Sequence, residues 1–101
     1  MPVLFVTRHA GALEWAARRG IQAIAVEHLD VTAVRAGDVV MGTLPLHLAA
    51  AVCGRGARFL HLEMDVPAEA RGRALTADDM DRFGARLVEY RVERVEPNRE
   101  E

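Results

Sequence analysis

Arg8 and His9 lie together where a short apolar segment gives way to a helical pattern. A guanidinium forms paired hydrogen bonds with phosphate or carboxylate oxygens, and an imidazole transfers protons near neutral pH. A second segment, Gly42-Thr43-Leu44, stands in the same position between an apolar run and a helical pattern and adds a hydroxyl and backbone N–H groups. These residue types predict a site for an anionic ligand.

Five apolar segments alternate with helical patterns along the chain. Residues 3–7, 21–27, 39–42 and 59–63 are rich in residues that favour buried strands, and residues 88–92 alternate apolar with charged side chains, as in a half-exposed edge strand. This order predicts an α/β fold, a small three-layer sandwich whose sheet of about five strands is mostly parallel.

Three helices are expected between these strands. The first follows Gly11 with an apolar stripe of Leu13, Ala16 and Ala17, and it ends at Gly20. The second has Pro45 in its first turn and is apolar almost all round over residues 46–53, which predicts burial on more than one side. The third is capped by Thr76, with Leu75 packed on Met80 and an apolar stripe of Met80, Phe83 and Leu87.

The commonest compact arrangement of such a chain places the first strand between the second and the third. The strand order then reverses between strands one and three, where open α/β sheets bind their ligands. The loops at that point, residues 7–11 and 42–45, each open a helix. Free N–H groups and the hydroxyls of Thr7 and Thr43 would therefore converge with Arg8 and His9 on one crevice, which predicts a phosphate site.

Several residues have two open interpretations. Arg8 could instead pair with Glu14 on the surface, and His28 could line the crevice or be solvated. Trp15 lies off the expected stripe, so it would cover a subunit contact or stack on a base. Arg71 and Arg73 flank Gly72 in a polar stretch, as solvated surface or as a lid over an anion.

Length and composition restrict the remaining possibilities. The 101 residues predict one domain over residues 1–96 with a charged tail at 97–101, and the small size and apolar second helix favour a homodimer. The net charge of −2 argues against binding long nucleic acid. No apolar span is long enough to predict a membrane segment, and a cytoplasmic location is expected. Neither the histidines nor Cys53 has metal-ligand spacing, so no metal or other cofactor is expected.

The Arg8-His9 pair resembles the Arg-His-Gly tripeptide of histidine phosphatases, in which the histidine accepts a phosphoryl group. Ala10 interrupts the tripeptide here, and no histidine follows His61 to serve as the second one that fold uses. A histidine phosphatase is therefore the second-ranked enzyme hypothesis.

A second resemblance covers nearly the whole chain. The motifs that carry it are Phe5-Val6-Thr7-Arg8-His9, Gly11-Ala12-Leu13-Glu14-Trp15-Ala16, His28-Leu29-Asp30, Gly42-Thr43-Leu44-Pro45, Arg55-Gly56-Ala57, His61-Leu62 and Arg71-Gly72-Arg73. In order and spacing they resemble a family of small CRISPR-associated proteins from type III loci, similar to the stand-alone ring nucleases. The resemblance implies a Rossmann-like dimer that degrades cyclic tetra-adenylate, the cyclic oligoadenylate messenger of type III defence.

With that substrate, each 2′-hydroxyl is a nucleophile beside its own phosphodiester, so alignment and charge stabilisation suffice without a metal. The expected catalytic residues are Arg8, which holds the phosphate, and His9, which moves a proton. The expected ligand-binding residues are Thr7, Gly11, Gly42, Thr43, Leu44, Arg71 and Arg73. A protein that binds the ring without cutting it, or a regulatory module that docks a partner protein, remains an alternative.

Overall fold

The computed structural model describes residues 3–96, and these residues form one five-stranded sheet with helices on both faces. The strands follow the order β2-β1-β3-β4-β5 across the sheet. The elements are β1 (Val3–Val6), α1 (Gly11–Arg18), β2 (Ile24–Val26), β3 (Val39–Gly42), α2 (Leu46–Gly54), β4 (Arg58–Glu63), α3 (Ala77–Arg82) and β5 (Arg86–Tyr90).

The predicted α/β fold is confirmed, including the central position of β1 between β2 and β3. The first four strands are parallel, and β5 pairs antiparallel with β4 at the edge of the sheet. The strand order therefore reverses between β1 and β3, at the carboxyl ends of both. The predicted charged tail, residues 97–101, lies outside the described residues.

Two apolar layers hold the helices on the sheet. On one face, Phe5 and Met41 pack with Trp15 of α1 and Met80 of α3. On the other face, Val40 and Phe59 pack with buried residues of α2. The predicted three-layer arrangement follows from these two clusters, since side chains on successive strand residues point to opposite faces.

The buried face of α1 differs from the expected one, so the interpretation of Trp15 was wrong. Trp15 is only 1% exposed and packs in the core beside Ala12 and Ala16, whereas Leu13 is 39% exposed. The face is set by the close approach of Gly11 to the start of α3, which turns Trp15 towards the sheet. A side chain this buried meets neither a second subunit nor a base.

The other departures concern where elements begin and end. Helix α3 ends at Arg82, and Gly84 with φ of +72° turns the chain into β5, so Leu87 belongs to a strand rather than to the helical stripe. Strand β2 is only three residues long. Within the single chain α2 is buried on one side only, through Ala49 and Val52, and Leu46 is 74% exposed.

Thr76 caps α3 as the sequence predicts, and Asp79 completes a capping box. The Thr76 hydroxyl accepts from the Asp79 N–H, and the Asp79 carboxylate accepts from the Thr76 N–H at 3.0 Å. Arg73 donates to the same carboxylate at 2.9 Å. The Arg73 hydrogen bond, together with that of the Thr76 N–H, lowers the pKa of Asp79 from 3.8 to about 2.

Gly42 is required by the contact between β3 and β1. Its φ is +131°, and a Cβ at this position would meet the Val6 carbonyl oxygen. Both the backbone conformation and the space therefore exclude a side chain. This contact fixes the ends of the two strands between which the strand order reverses.

Replacing Gly42 with alanine should lower the free energy of unfolding by about 2 kcal/mol or more, because the left-handed backbone and the crowding are both unfavourable. Urea denaturation followed by circular dichroism measures this. Gly54→Ala is the matched control, because Gly54 is helical and a Cβ there meets nothing within 4 Å. Equal effects of the two substitutions would contradict the assignment.

Asp79 should make the stability of the protein depend on acid pH. Since its pKa in the folded protein lies below the ordinary 3.8, its stabilising effect is complete above about pH 4 and is lost as the pH falls towards about 2. The wild-type protein should therefore have a higher melting temperature than Asp79→Asn at pH 7. This difference in melting temperature should narrow as the pH falls from about 4 to about 2. Asp78→Asn, which removes a carboxylate that is 85% exposed, should show no such narrowing.

Candidate functional site

A crevice of about 480 Å³ opens where the strand order reverses, in the size range of about 300–1,000 Å³ typical of small-molecule sites. It lies between the segments that leave β1, β2 and β3, and its floor comes from the end of β4. Its lining includes five of the predicted site and catalytic residues, Thr7, Arg8, His9, Thr43 and Leu44, and also Val6, Glu27, His28, Leu29, Pro45, Leu48, Leu62 and Met64.

Both helices that begin near this crevice lack a side-chain cap. Neither Ala10 before α1 nor Pro45 before α2 accepts a hydrogen bond from its helix through a side chain. The first N–H groups of a helix have no partner within the helix, and they favour an anion there together with the helix dipole. The start of α2 lines the crevice through Pro45 and Leu48, whereas α1 begins just outside it, two residues after His9.

Arg8 carries the positive charge of the crevice. Its side chain is exposed, and within residues 3–96 its guanidinium forms no hydrogen bond and no ion pair. The alternative partner Glu14 is instead 3.3 Å from Arg18 on the next turn of α1. Arg8 is therefore free to bind an anion, whereas Glu27 brings one carboxylate to the far wall of the crevice.

His9 is held by one contact of its backbone and one contact of its ring. Its backbone N–H donates to the Thr7 hydroxyl at 3.0 Å, which closes a tight turn after β1. Its ring Nδ1 lies 3.5 Å from the Leu75 N–H, at the start of α3. With Nδ1 accepting, a neutral ring carries its proton on Nε2.

The two predicted glycines are close to the crevice but do not line it. Gly42 is fully enclosed at the end of β3 by the contact with Val6 described above. At Gly11 a Cβ would lie 2.5 Å from the Ala77 nitrogen, so this glycine allows α1 to approach the start of α3. The structure therefore gives both glycines a positioning role, through backbone that approaches other backbone closely.

Arg71 and Arg73 are not brought into the crevice. Arg73 is 2.9 Å from Asp79, and Arg71 points its guanidinium at the Val66 carbonyl at 3.4 Å. The chain just before Arg71 forms a short 3₁₀ turn, Ala68–Ala70, whose last residue is buried in the core. Their assignment as ligand-binding residues stays a prediction that requires movement of this segment.

Sequence reasoning missed the contributions of the ends of β2 and β4. Glu27, Leu62 and Met64 all follow or end a strand whose carboxyl end meets the crevice, and His28 lines it as one of the two interpretations expected. The signal was present, because parallel strands end at one edge of a sheet. His47 is exposed on α2 and does not line the crevice.

The described residues restrict two other kinds of site. Among residues 3–96, no three histidine, cysteine, aspartate or glutamate side chains are grouped so that they could hold a metal ion. No helix in this part of the chain has the length and apolar composition needed to cross a membrane.

Comparison with known protein families gives a match over most of the chain. The model of a family described as "Putative CRISPR-associated protein (Cas_VVA1548)" matches residues 4–93, which include every residue of the crevice. Searches of the curated proteins and of the solved structures return no significant match.

Proposed function

The chain belongs to this CRISPR-associated family, and from that premise we propose that it is a ring nuclease. Its substrate is cyclic tetra-adenylate, which it cleaves without a metal in the cytoplasm, switching off type III antiviral signalling. The observation that supports this most strongly is the crevice itself, which is lined by the unpaired Arg8, the positioned His9 and the uncapped start of α2. A phosphodiester beside a 2′-hydroxyl is the ligand that these groups suit best.

In this mechanism Arg8 and the free N–H groups bind the non-bridging oxygens of one phosphodiester. The 2′-oxygen attacks the phosphorus in line, the bond from phosphorus to the 5′-oxygen breaks, and a 2′,3′-cyclic phosphate and a 5′-hydroxyl result. One proton moves overall from the 2′-hydroxyl to the 5′-oxygen. The 2′-hydroxyl is already attached beside its phosphodiester, so the protein contributes its in-line alignment, and the cationic guanidinium stabilises the charge that develops on the phosphate.

His9 is the residue assigned to the proton. The Leu75 N–H favours the neutral ring protonated on Nε2, so the ring begins as a donor to the phosphate or to the leaving 5′-oxygen. To accept a proton from the 2′-hydroxyl through Nε2, the ring must carry its own proton on Nδ1 and release Leu75. The contact between the Leu75 N–H and Nδ1, at 3.5 Å, is long for a hydrogen bond, so breaking it costs little free energy.

A homodimer completes the proposal. A ring with fourfold symmetry matches a twofold assembly, since two protomers would present two copies of the crevice. The exposed face of α2 adjoins the crevice, because Leu46 follows Pro45 directly and is 74% exposed. Burial of such a face against a second copy would bring the two crevices to one side of the assembly.

One observation favours a second function, that of a module which docks a partner protein. A groove of about 1160 Å³ runs between α2 and the segment after β5, and its lining is mostly apolar. The residues that line it are Leu46, His47, Ala50, Ala51, Cys53, Gly54, Arg91, Val92, Glu93 and Arg94. This function needs no ligand in the crevice.

Incubation with labelled cyclic tetra-adenylate in excess EDTA, resolved by chromatography, separates these functions. Linear products ending in a 2′,3′-cyclic phosphate are expected. Retention of the intact ring would instead indicate a protein that sequesters the messenger, and neither binding nor product would favour the docking module. Activity lost in EDTA and restored by a divalent cation would contradict the mechanism.

Substitution of Arg8 and His9 should affect different steps. Arg8 contacts the phosphate before and during reaction, so Arg8→Ala should weaken binding and slow cleavage together, and lysine should restore little because it lacks the planar fork. His9→Ala should lower the single-turnover rate by about 10²- to 10⁴-fold while the affinity stays nearly unchanged.

The control is Gln22→Ala, which removes an exposed polar side chain outside the crevice and outside the groove along α2. It should cleave at the wild-type rate. If His9→Ala does so as well, the imidazole has only a structural role and catalysis depends on alignment and Arg8.

A further inference from the structure

A second crevice of about 490 Å³ continues the first along the edge of the sheet. It shares His9, Thr43, Leu62 and Met64 with the first crevice, so the two crevices are direct neighbours. It extends past the end of β4 to the start of β5. Its remaining lining residues are His61, Glu63, Val66, Leu75 and Arg86.

The charges of this second crevice do not suit a phosphate. The guanidinium of Arg86 lies 3.5 Å from the Glu63 carboxylate and 4.0 Å from that of Asp65, so two negative charges surround one positive charge. The unpaired Arg8 of the first crevice has no such neighbours among the described residues. A phosphate therefore prefers the first crevice, and an uncharged group with hydrogen-bond donors prefers the second.

Glu63 is held in one position. The Tyr90 hydroxyl donates to its Oε2 at 2.5 Å, and this bond to a carboxylate raises the pKa of Tyr90, so the phenol keeps its proton. The Glu63 side chain is 24% exposed. A carboxylate has about four acceptor positions, so with Tyr90 and Arg86 as neighbours it still has capacity for another donor.

The other walls offer apolar surface beside polar groups. Leu62, Met64, Val66 and Leu75 supply aliphatic and thioether surface, and the ring of His61 lies against Phe59 and Tyr90 with 5.8 Å between centroids in each pair. A planar heterocycle with an amino group on its edge matches a fixed carboxylate between such walls.

We propose that this second crevice is the base subsite, and that Glu63 accepts a hydrogen bond from the 6-amino group of adenine. The assignment rests on the proposed function, and it names the residue that selects the base. Thr43 follows β3 and Glu63 ends β4, and these strands are paired neighbours, so the phosphate and the base of one nucleotide would lie at adjacent strand ends. The phosphate then occupies the first crevice and the base the second.

The test compares two bases that differ at this amino group. Adenosine 5′-monophosphate and inosine 5′-monophosphate, in which a carbonyl replaces the 6-amino group, are titrated into the protein by calorimetry, and cyclic tetra-adenylate and cyclic tetra-inosinate follow. Wild type should prefer adenine by about tenfold or more, because the carbonyl of inosine faces a carboxylate. Glu63→Gln should abolish the preference, since an amide both accepts and donates.

Asp65→Asn is the matched control, because it removes a negative charge that is also near Arg86 from a side chain that is 91% exposed and lines neither crevice. It should keep the preference for adenine. The NMR signal of the Met64 methyl group in the wild-type protein gives a readout that does not require any variant to fold. It should shift with adenosine 5′-monophosphate while the buried Met41 and Met80 do not.

The outcomes are distinct. An equal affinity of wild type for the two monophosphates, or an unshifted Met64 signal, would overturn the base subsite whatever the ring does. A preference that Glu63→Gln retains would overturn the role of Glu63. Selective binding of adenosine 5′-monophosphate without any affinity for cyclic tetra-adenylate would uphold the subsite and overturn the proposed function.

Discussion

The contact between Gly42 and the Val6 carbonyl is the constraint on which the site depends. It joins the last residues of β3 and β1, and from this point the chain departs in opposite directions, into α1 through Arg8 and His9 and into α2 through Thr43 and Pro45. A side chain at residue 42 would push the two strand ends apart. Thr7, Arg8 and His9 would then lie farther from Thr43, and these polar groups would no longer line one space.

A second close approach fixes the other side of the crevice. Gly11 lets α1 touch the start of α3, where the Leu75 N–H reaches the ring of His9. The capping box of α3 holds this start in place through Thr76 and Asp79, and Arg73 is recruited to it. The third helix thus positions the imidazole through backbone contacts, although it contributes no charged group to the site.

The distribution of partners among the arginines explains where an anion would bind. Arg18, Arg19 and Arg58 each pair with a carboxylate on a neighbouring element, and these pairs are solvated. Arg8 lies beyond the carboxyl end of a strand and forms no ion pair among the described residues, although Glu27 lines the same crevice. Arg86 differs from Arg8, since two carboxylates lie beside it. Their negative charge disfavours an anion in the second crevice and favours uncharged hydrogen-bond donors.

The sequence by itself determined the strand order and the place of the site. Apolar runs that alternate with helical patterns specify a parallel sheet, and the carboxyl ends of its strands must meet at one edge, so the positions of Thr7, Arg8, His9 and Thr43 could be predicted from their places along the chain. The cap at Thr76 was equally readable, because capping depends on a few neighbouring residues.

Only the tertiary structure decided which face of each helix is buried and what lies beside each strand end. Trp15 was misplaced because its helix is turned by contact between Gly11 and α3, residues that are far apart in the chain. Glu63 gave no local signal, since its fixed position comes from Tyr90 on the neighbouring antiparallel strand. Arg73 likewise found a partner that no pattern specified. Contacts between distant residues depend on packing, and periodicity along one segment carries no information about them.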